Sequence, residues 1–240
     1  MGRPRAWCCA RVRIEPVSCW SYRSYSLMKD AELIQFVEAS RVFAVVRAAS
    51  AESAVRSAEA AIVGGIKIIE ETLATPGSFR VISDLRHRYG DRVCVCAGSV
   101  TNHDQMDRAI KSGAQVISMP HTNAQLVEAC RRAHIPPLIG ALTPTEVADA
   151  WSMGVPMVNL FPASSLGGPD YVAALTSRIN GVRLVVSGGV GSDNIVDYVH
   201  AGAFGIAVGG RLFTNGDLKN ENYAAIAERA RGILRLAGVA

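Results

Sequence analysis

The feature that most restricts how this 240-residue chain can fold is an alternation, repeated eight times after residue 41, of a short β-branched run and an amphipathic stretch. The strand candidates are residues 42–47, 66–72, 93–98, 116–118, 137–140, 157–161, 183–187 and 205–208. Helical spacing follows each of them, near 51–63, 77–89, 103–112, 122–133, 143–153, 167–178, 191–200 and 220–236. Period-two runs set between period-3.6 runs are βα units, whose strands pair in parallel. Eight such units close into a barrel, and about 200 residues suffice for a compact one. The stretch MKDAELIQFVEAS, beginning at Met28, adds a helix before the first strand. The expected fold is therefore α/β, a (β/α)8 TIM barrel with an extra N-terminal helix, as a single domain over residues 28–240. A doubly wound open sheet is the competing arrangement. Against it, the first βα junction reads Arg47-Ala48-Ala49-Ser50 without a glycine fingerprint, and no acid ends a second strand in dinucleotide context.

With 49% hydrophobic and 19% charged residues, the chain can fill a core and does not resemble a disordered one. Its formal charge of +4 is uneven: residues 1–27 hold Arg3, Arg5, Arg11, Arg13 and Arg23 against Glu15, which leaves 20 basic and 20 acidic residues in the body. A neutral body lacks the basic face that binds nucleic acid. No apolar run approaches the roughly 18 residues of a membrane span. The leader also carries Cys8, Cys9, Cys19 and two of the three tryptophans, with neither an apolar signal core nor a clean amphipathic helix. It reads as a disordered upstream extension or a misassigned start before Met28. Cys94, Cys96 and Cys130 have no zinc spacing and read as buried thiols of a cytoplasmic protein.

A barrel fixes where chemistry belongs, at the C-terminal ends of the strands, with phosphate after strands seven and eight. Ser187-Gly188-Gly189-Val190-Gly191 and Val208-Gly209-Gly210-Arg211 fall at those two positions. Their backbone N–H groups can converge on an anion, glycine permits close approach and positive φ, helix starts add a dipole end, and Arg211 adds charge. On strand two, Glu70 shares parity with Ile66 and Ile68 and is expected to face inward, whereas Lys67 and Glu71 belong to the helix-facing side. The ordinary alternative for this pair of acids is a solvated strand end. Arg47, at the end of strand one, is a candidate anion contact; otherwise it is a surface arginine paired to a neighbouring acid.

At this point the chain resembles the 2-keto-3-deoxy-6-phosphogluconate (KDPG) and 4-hydroxy-2-oxoglutarate (KHG) aldolases, from about Met28 to the end. The likeness is carried by Gly64-Gly65-Ile66-Lys67-Ile68-Ile69-Glu70-Glu71-Thr72-Leu73, Ala97-Gly98-Ser99-Val100, Met119-Pro120, Leu142-Thr143-Pro144-Thr145-Glu146, Leu160-Phe161-Pro162-Ala163, Ser187-Gly188-Gly189 and Val208-Gly209-Gly210, in matching order. The resemblance implies a homotrimeric barrel acting on a small 2-keto acid or sugar phosphate. It makes Glu70 the general acid/base and puts Thr72, Ser99, Pro120 and Phe161 among the substrate contacts.

Two positions depart from the family pattern. The family's imine-forming lysine, in Lys-Phe-Phe-Pro-Ala, is matched by Asn159 in Asn159-Leu160-Phe161-Pro162-Ala163, and a carboxamide cannot form that imine. The arginine of Thr-Leu-Arg-Thr is matched by Ala74. Only Lys29, Lys67, Lys111 and Lys219 remain, and none is expected to reach the pocket without a strand bulge at Lys67. No cofactor is expected; the alternative is a divalent metal on Glu70, His121 and Asn159, since oxygen-rich ligands suit Mg²⁺ or Mn²⁺. Three functions fit: a carbon–carbon lyase releasing pyruvate from a 2-keto-3-deoxy (phospho)sugar acid without the imine, an isomerase or decarboxylase of a phosphosugar acid using Glu70, and a sugar-phosphate-binding protein without turnover.

Overall fold

A computed structural model describes residues 28–239, and the expectations for residues 1–27 lie outside the described residues. Eight parallel strands close on themselves in sequence order, so the barrel expectation holds and the open sheet is excluded. The chain begins with helix α1 (Asp30–Ser40) and continues β1 (Val42–Val46), α2 (Ala51–Val63), β2 (Ile68–Thr72), α3 (Ser78–Tyr89), β3 (Cys94–Gly98) and α4 (His103–Lys111). It proceeds through β4 (Val116–Met119), α5 (Ala124–Arg132), β5 (Pro137–Ala141), α6 (Pro144–Ser152), β6 (Met157–Leu160) and α7 (Gly168–Arg178). The last third is β7 (Leu184–Ser187), α8 (Ile195–His200), β8 (Gly205–Val208), α9 (Asn215–Lys219) and α10 (Tyr223–Leu236). The short helix α9 and two 3₁₀ turns, Gly90–Arg92 and Ala163–Leu166, are additions the periodicity did not signal, being too short to show a period.

Local chemistry sets the helix starts. At α6, Thr143 accepts from the Glu146 N–H at 3.3 Å while the Glu146 carboxylate accepts from the Thr143 and Leu142 N–H groups at 2.8 and 2.9 Å, and Pro144 sits at the first helical position. Ser50, Asn102 and Asn123 cap α2, α4 and α5 through single side-chain acceptors.

Strand alternation sorts the core into two bodies. Phe43, Ile68, Cys94, Cys96, Val116, Leu138, Met157 and Val185 fill the barrel, while a larger cluster, including Val46, Ile69, Val95 and Ile117, packs between strands and helices. Leu33 and Val37 of α1 join the interior cluster, both at 0% exposure, and plug the N-terminal mouth. With that end filled, the C-terminal end is the one left open, and it is there that barrels of this kind place their sites. Among the described residues, no helix is long and apolar enough to cross a membrane. The cysteines Cys94, Cys96 and Cys130 are free and buried.

Candidate functional site

The C-terminal mouth holds a cavity of about 350 Å³. Apart from His121, the alternative metal ligand, every site residue expected from the sequence lines it: Glu70 and Asn159 from β2 and β6; Arg47, Thr72, Ser99, Pro120 and Phe161 around the rim; Ser187 at the end of β7; and Gly188, Gly189, Gly209, Gly210 and Arg211 in the turns after β7 and β8. None of the four lysines lines it; Lys67 lies exposed ahead of β2, and Lys29 borders a separate cavity beside α1.

The inward acid is where parity put it. Glu70 pairs in register with Val45 on β1 and Cys96 on β3, is 8% exposed, and stands over the apolar barrel interior. Burial raises its carboxyl to about 7, and the Ser118 hydroxyl, donating to the carboxylate, pulls the other way. A carboxyl that titrates near neutrality can both take and return a proton at working pH. Space for it comes from Gly98: a Cβ there would lie 2.5 Å from Glu70 Oε1. Ser118 and Gly98 were missed as site residues. Ser118 shares parity with the interior residue Val116, so a polar residue on an inward face was the available signal.

Glu71 lies on the helix-facing side, as its parity indicated, and the alternative of a solvated strand end is excluded for it. The helix layer covers it completely, at 0% exposure, with the Thr75 hydroxyl the one polar group near its carboxylate among the described residues. Burial raises its carboxyl to about 8, offset in part by the nearby Thr75 hydroxyl.

On the far side of the barrel, Asn159 is 9% exposed, and its Oδ1 accepts from the Ser187 hydroxyl at 2.7 Å. The Thr72 hydroxyl is buried at the cavity without a hydrogen-bond partner. Ser99 sits at φ 63°, an uncommon conformation for a side chain with a Cβ, and such strain concentrates at working sites. Arg47 is exposed at the cavity edge and, among the described residues, has neither an ion pair nor a hydrogen bond, unlike the surface-paired arginine that was the alternative.

Both glycine turns line this cavity, and their geometry differs in detail from the expectation. Gly188 and Gly189 adopt φ 87° and 80°, and a Cβ on Gly188 would meet Pro162 at 3.0 Å, so glycine is required there. Gly209 and Gly210 do not have positive φ; around Gly210 a Cβ would meet nothing within 4 Å, leaving its backbone open to the cavity. The N–H groups of Gly189, Gly210 and Arg211 have no acceptor among the described residues. Helix dipoles contribute little, contrary to expectation, because α8 and α9 begin only at Ile195 and Asn215. Arg211 is already engaged: Asp193 receives both of its contacts, at 2.9 and 3.0 Å. Among the described residues no group of three or more His, Cys, Asp or Glu side chains could hold a metal ion, and His121 is outside the cavity lining.

Comparison with known proteins agrees with this geometry. The chain is 34% identical over 70% of its length, and 79% of the relative's, to a 2-dehydro-3-deoxy-phosphogluconate aldolase of Treponema pallidum. It is 26% identical to a 2-dehydro-3-deoxy-6-phosphogalactonate aldolase of Escherichia coli, over 73% of this chain and 85% of that one. A KDPG aldolase of Legionella pneumophila, solved with pyruvate captured at low pH as a covalent carbinolamine, superposes with a TM-score of 0.77 at 25% identity, covering 86% of this chain and 98% of that one. A thiamine phosphate pyrophosphorylase of Pyrococcus furiosus, at 15% identity and a TM-score of 0.66 over 85% of this chain and 98% of that one, shares the fold alone. The model of the aldolase family described as KDPG and KHG aldolase matches residues 33–229, a span that runs from the plug helix through both glycine turns, and the chain therefore belongs to that family.

Proposed function

We infer that this chain is a carbon–carbon lyase that releases pyruvate from a 2-keto-3-deoxy (phospho)sugar acid, with Glu70 moving the protons and Asn159 standing where relatives carry the imine-forming lysine. The observation that carries this reading is Glu70: a buried carboxyl titrating near 7, inside a cavity that also holds an unpaired arginine and a set of free backbone N–H groups. Arg47 and the Thr72 hydroxyl bind the substrate carboxylate, and the Gly188-Gly189 and Gly209-Gly210 turns receive its distal phosphate. In the cleavage direction the C4 hydroxyl proton passes to the Glu70 carboxylate, the C3–C4 electron pair forms the enolate of pyruvate, and the same carboxyl then protonates C3. The names of the relatives support this substrate class.

A second reading, an isomerase or decarboxylase of a phosphosugar acid or a binding protein without turnover, is favoured by the absence of any lysine from the cavity lining. Neither reading calls for a resident cofactor. Assembly as a homotrimer and residence in the cytoplasm belong to the same proposal, the first resting on the family likeness and the second on three unpaired buried cysteines.

Incubation with pyruvate and borohydride, followed by intact mass, tests the lysine argument. The expected outcome is an unchanged mass for the wild type and a trapped adduct for Asn159→Lys. Lyase turnover of 2-keto-3-deoxy-6-phosphogluconate without an adduct supports the first reading, and chelator-sensitive turnover would favour a metal route. A phosphate-dependent rise in Tm with no turnover would replace the lyase with the binding protein.

A further inference from the structure

Losing the imine removes the electron sink that makes cleavage next to a ketone easy, so an imine-free site needs another way to hold negative charge on the keto oxygen. The Asn159–Ser187 pair supplies the geometry for one. An Asn side chain presents an acceptor on one side and two donors on the other, and a neighbour decides which faces the ligand. Here the side chains are 2.7 Å apart, the usual length of O–H···O and shorter than the roughly 2.9 Å typical of N–H···O. Ser187 has a single hydroxyl proton. Its other acceptor, the Leu160 carbonyl, is at the 3.5 Å limit, so the proton goes to Asn159 Oδ1. The carboxamide NH₂ is thereby turned away from Ser187, has no acceptor among the described residues, and is left open to the cavity opposite Glu70.

We propose that Ser187 is a positioning residue that locks the Asn159 carboxamide with its two N–H donors toward the cavity, where they receive the keto oxygen of a 2-keto acid and stabilise its enolate. This rests on the reading of the cavity as a 2-keto acid site. The elementary step is enolisation. Glu70 carboxylate takes a proton from C3, the C–H electron pair becomes the C2=C3 bond, and the carbonyl π pair moves onto the oxygen held by Asn159. Reversal returns the proton to C3. Neutral donors suffice because they are fixed before the charge develops and stand in a largely buried site; removing one such donor from an enzyme costs about 10²–10³ in rate.

The test is deuterium uptake at C3 of pyruvate in D₂O, followed by NMR on the full-length protein. Wild type is expected to exchange the methyl protons while borohydride traps nothing. Asn159→Asp keeps the shape and the Ser187 contact but removes both donors, and is expected to lose exchange at least 100-fold. Ser187→Ala should lower kcat for exchange about tenfold or more with KM nearly unchanged, and Ser187→Thr, which keeps the hydroxyl, should restore most of it. A purely structural role for Ser187 would not give that split or that rescue. Exchange at the wild-type rate in Ser187→Ala, or in Asn159→Asp, overturns the proposal and leaves the lyase reading standing. A trapped pyruvate adduct in the wild type overturns it in favour of an imine. Wild type that neither exchanges nor binds pyruvate overturns both.

Discussion

Two adjacent glutamates lie near the end of the second strand, and the structure gives them opposite fates. Glu70 faces the barrel interior and Glu71 the helix layer; both are nearly or wholly buried, and burial raises both carboxyls, to about 7 and about 8. Glu70 has a hydroxyl donor in Ser118, room beside Gly98 and an opening to the cavity. Glu71 also has a hydroxyl beside it, Thr75, but lies between the β1 and β3 neighbours Val46 and Ala97 and does not reach the cavity. The lesson is that burial alone makes a carboxyl abnormal, and access to a ligand makes it useful. At neutral pH Glu71 is held as the neutral acid and weakens the fold, whereas Glu70, under the proposed function, exchanges its proton with a ligand.

The largest expected effect separates the two acids by activity. Glu70→Gln should lower turnover about 10²- to 10⁴-fold while leaving the fold intact, whereas Glu71→Gln should leave kcat within about twofold, measured by steady-state kinetics beside thermal melts. Equal losses in both variants would break the comparison.

The second effect is on stability and carries a definite sign. Because the folded-state pKa of Glu71 is raised from 4.5 to about 8, its contribution is fully present below about pH 4.5 and is lost as pH rises toward 8. Each pH unit in that window costs about 1.4 kcal/mol per such group. Glu71→Val should therefore raise unfolding free energy by a few kcal/mol at pH 8 and by far less at pH 5, and should flatten the fall between them, read from denaturant melts across pH. A stability gain that does not depend on pH would mean packing and not ionisation is responsible.

Gly98→Ala tests the room given to Glu70. A Cβ 2.5 Å from Oε1 must push the carboxyl aside, so turnover should fall about tenfold or more, with roughly 1–3 kcal/mol of lost stability. The smallest effect belongs to Ser118→Ala: loss of its hydrogen bond should move the acid limb of the activity–pH profile upward, since the Ser118 hydroxyl favours the charged form of Glu70.

Most of the fold was legible because strand and helix periods alternate along the chain; the caps Ser50, Asn102, Asn123 and Thr143, which fix the helix starts, came from the structure. Strand limits slipped by a residue or two, as at Ile66 and Lys67, which precede the β2 ladder, because pairing with neighbouring strands and not side-chain pattern ends a strand. At the site, the two-residue alternation of a strand was enough to turn Glu70 inward and Lys67 away from the mouth. Sequence spacing could not show that Asp193 would engage Arg211, or that Ser187 would reach Asn159, since each pair joins different βα units.

The sequence by itself determined the closed barrel, the end of it that opens on a cavity, and the direction of the β2 acids, because period and glycine turns act within a few residues of the chain. Only the tertiary structure decided what surrounds those side chains. Whether the outward acid meets water or a helix, which side of a carboxamide faces a ligand, and whether an arginine is free or already paired all depend on groups brought together from distant strands, and it is this neighbourhood that sets solvation, hydrogen bonding and charge.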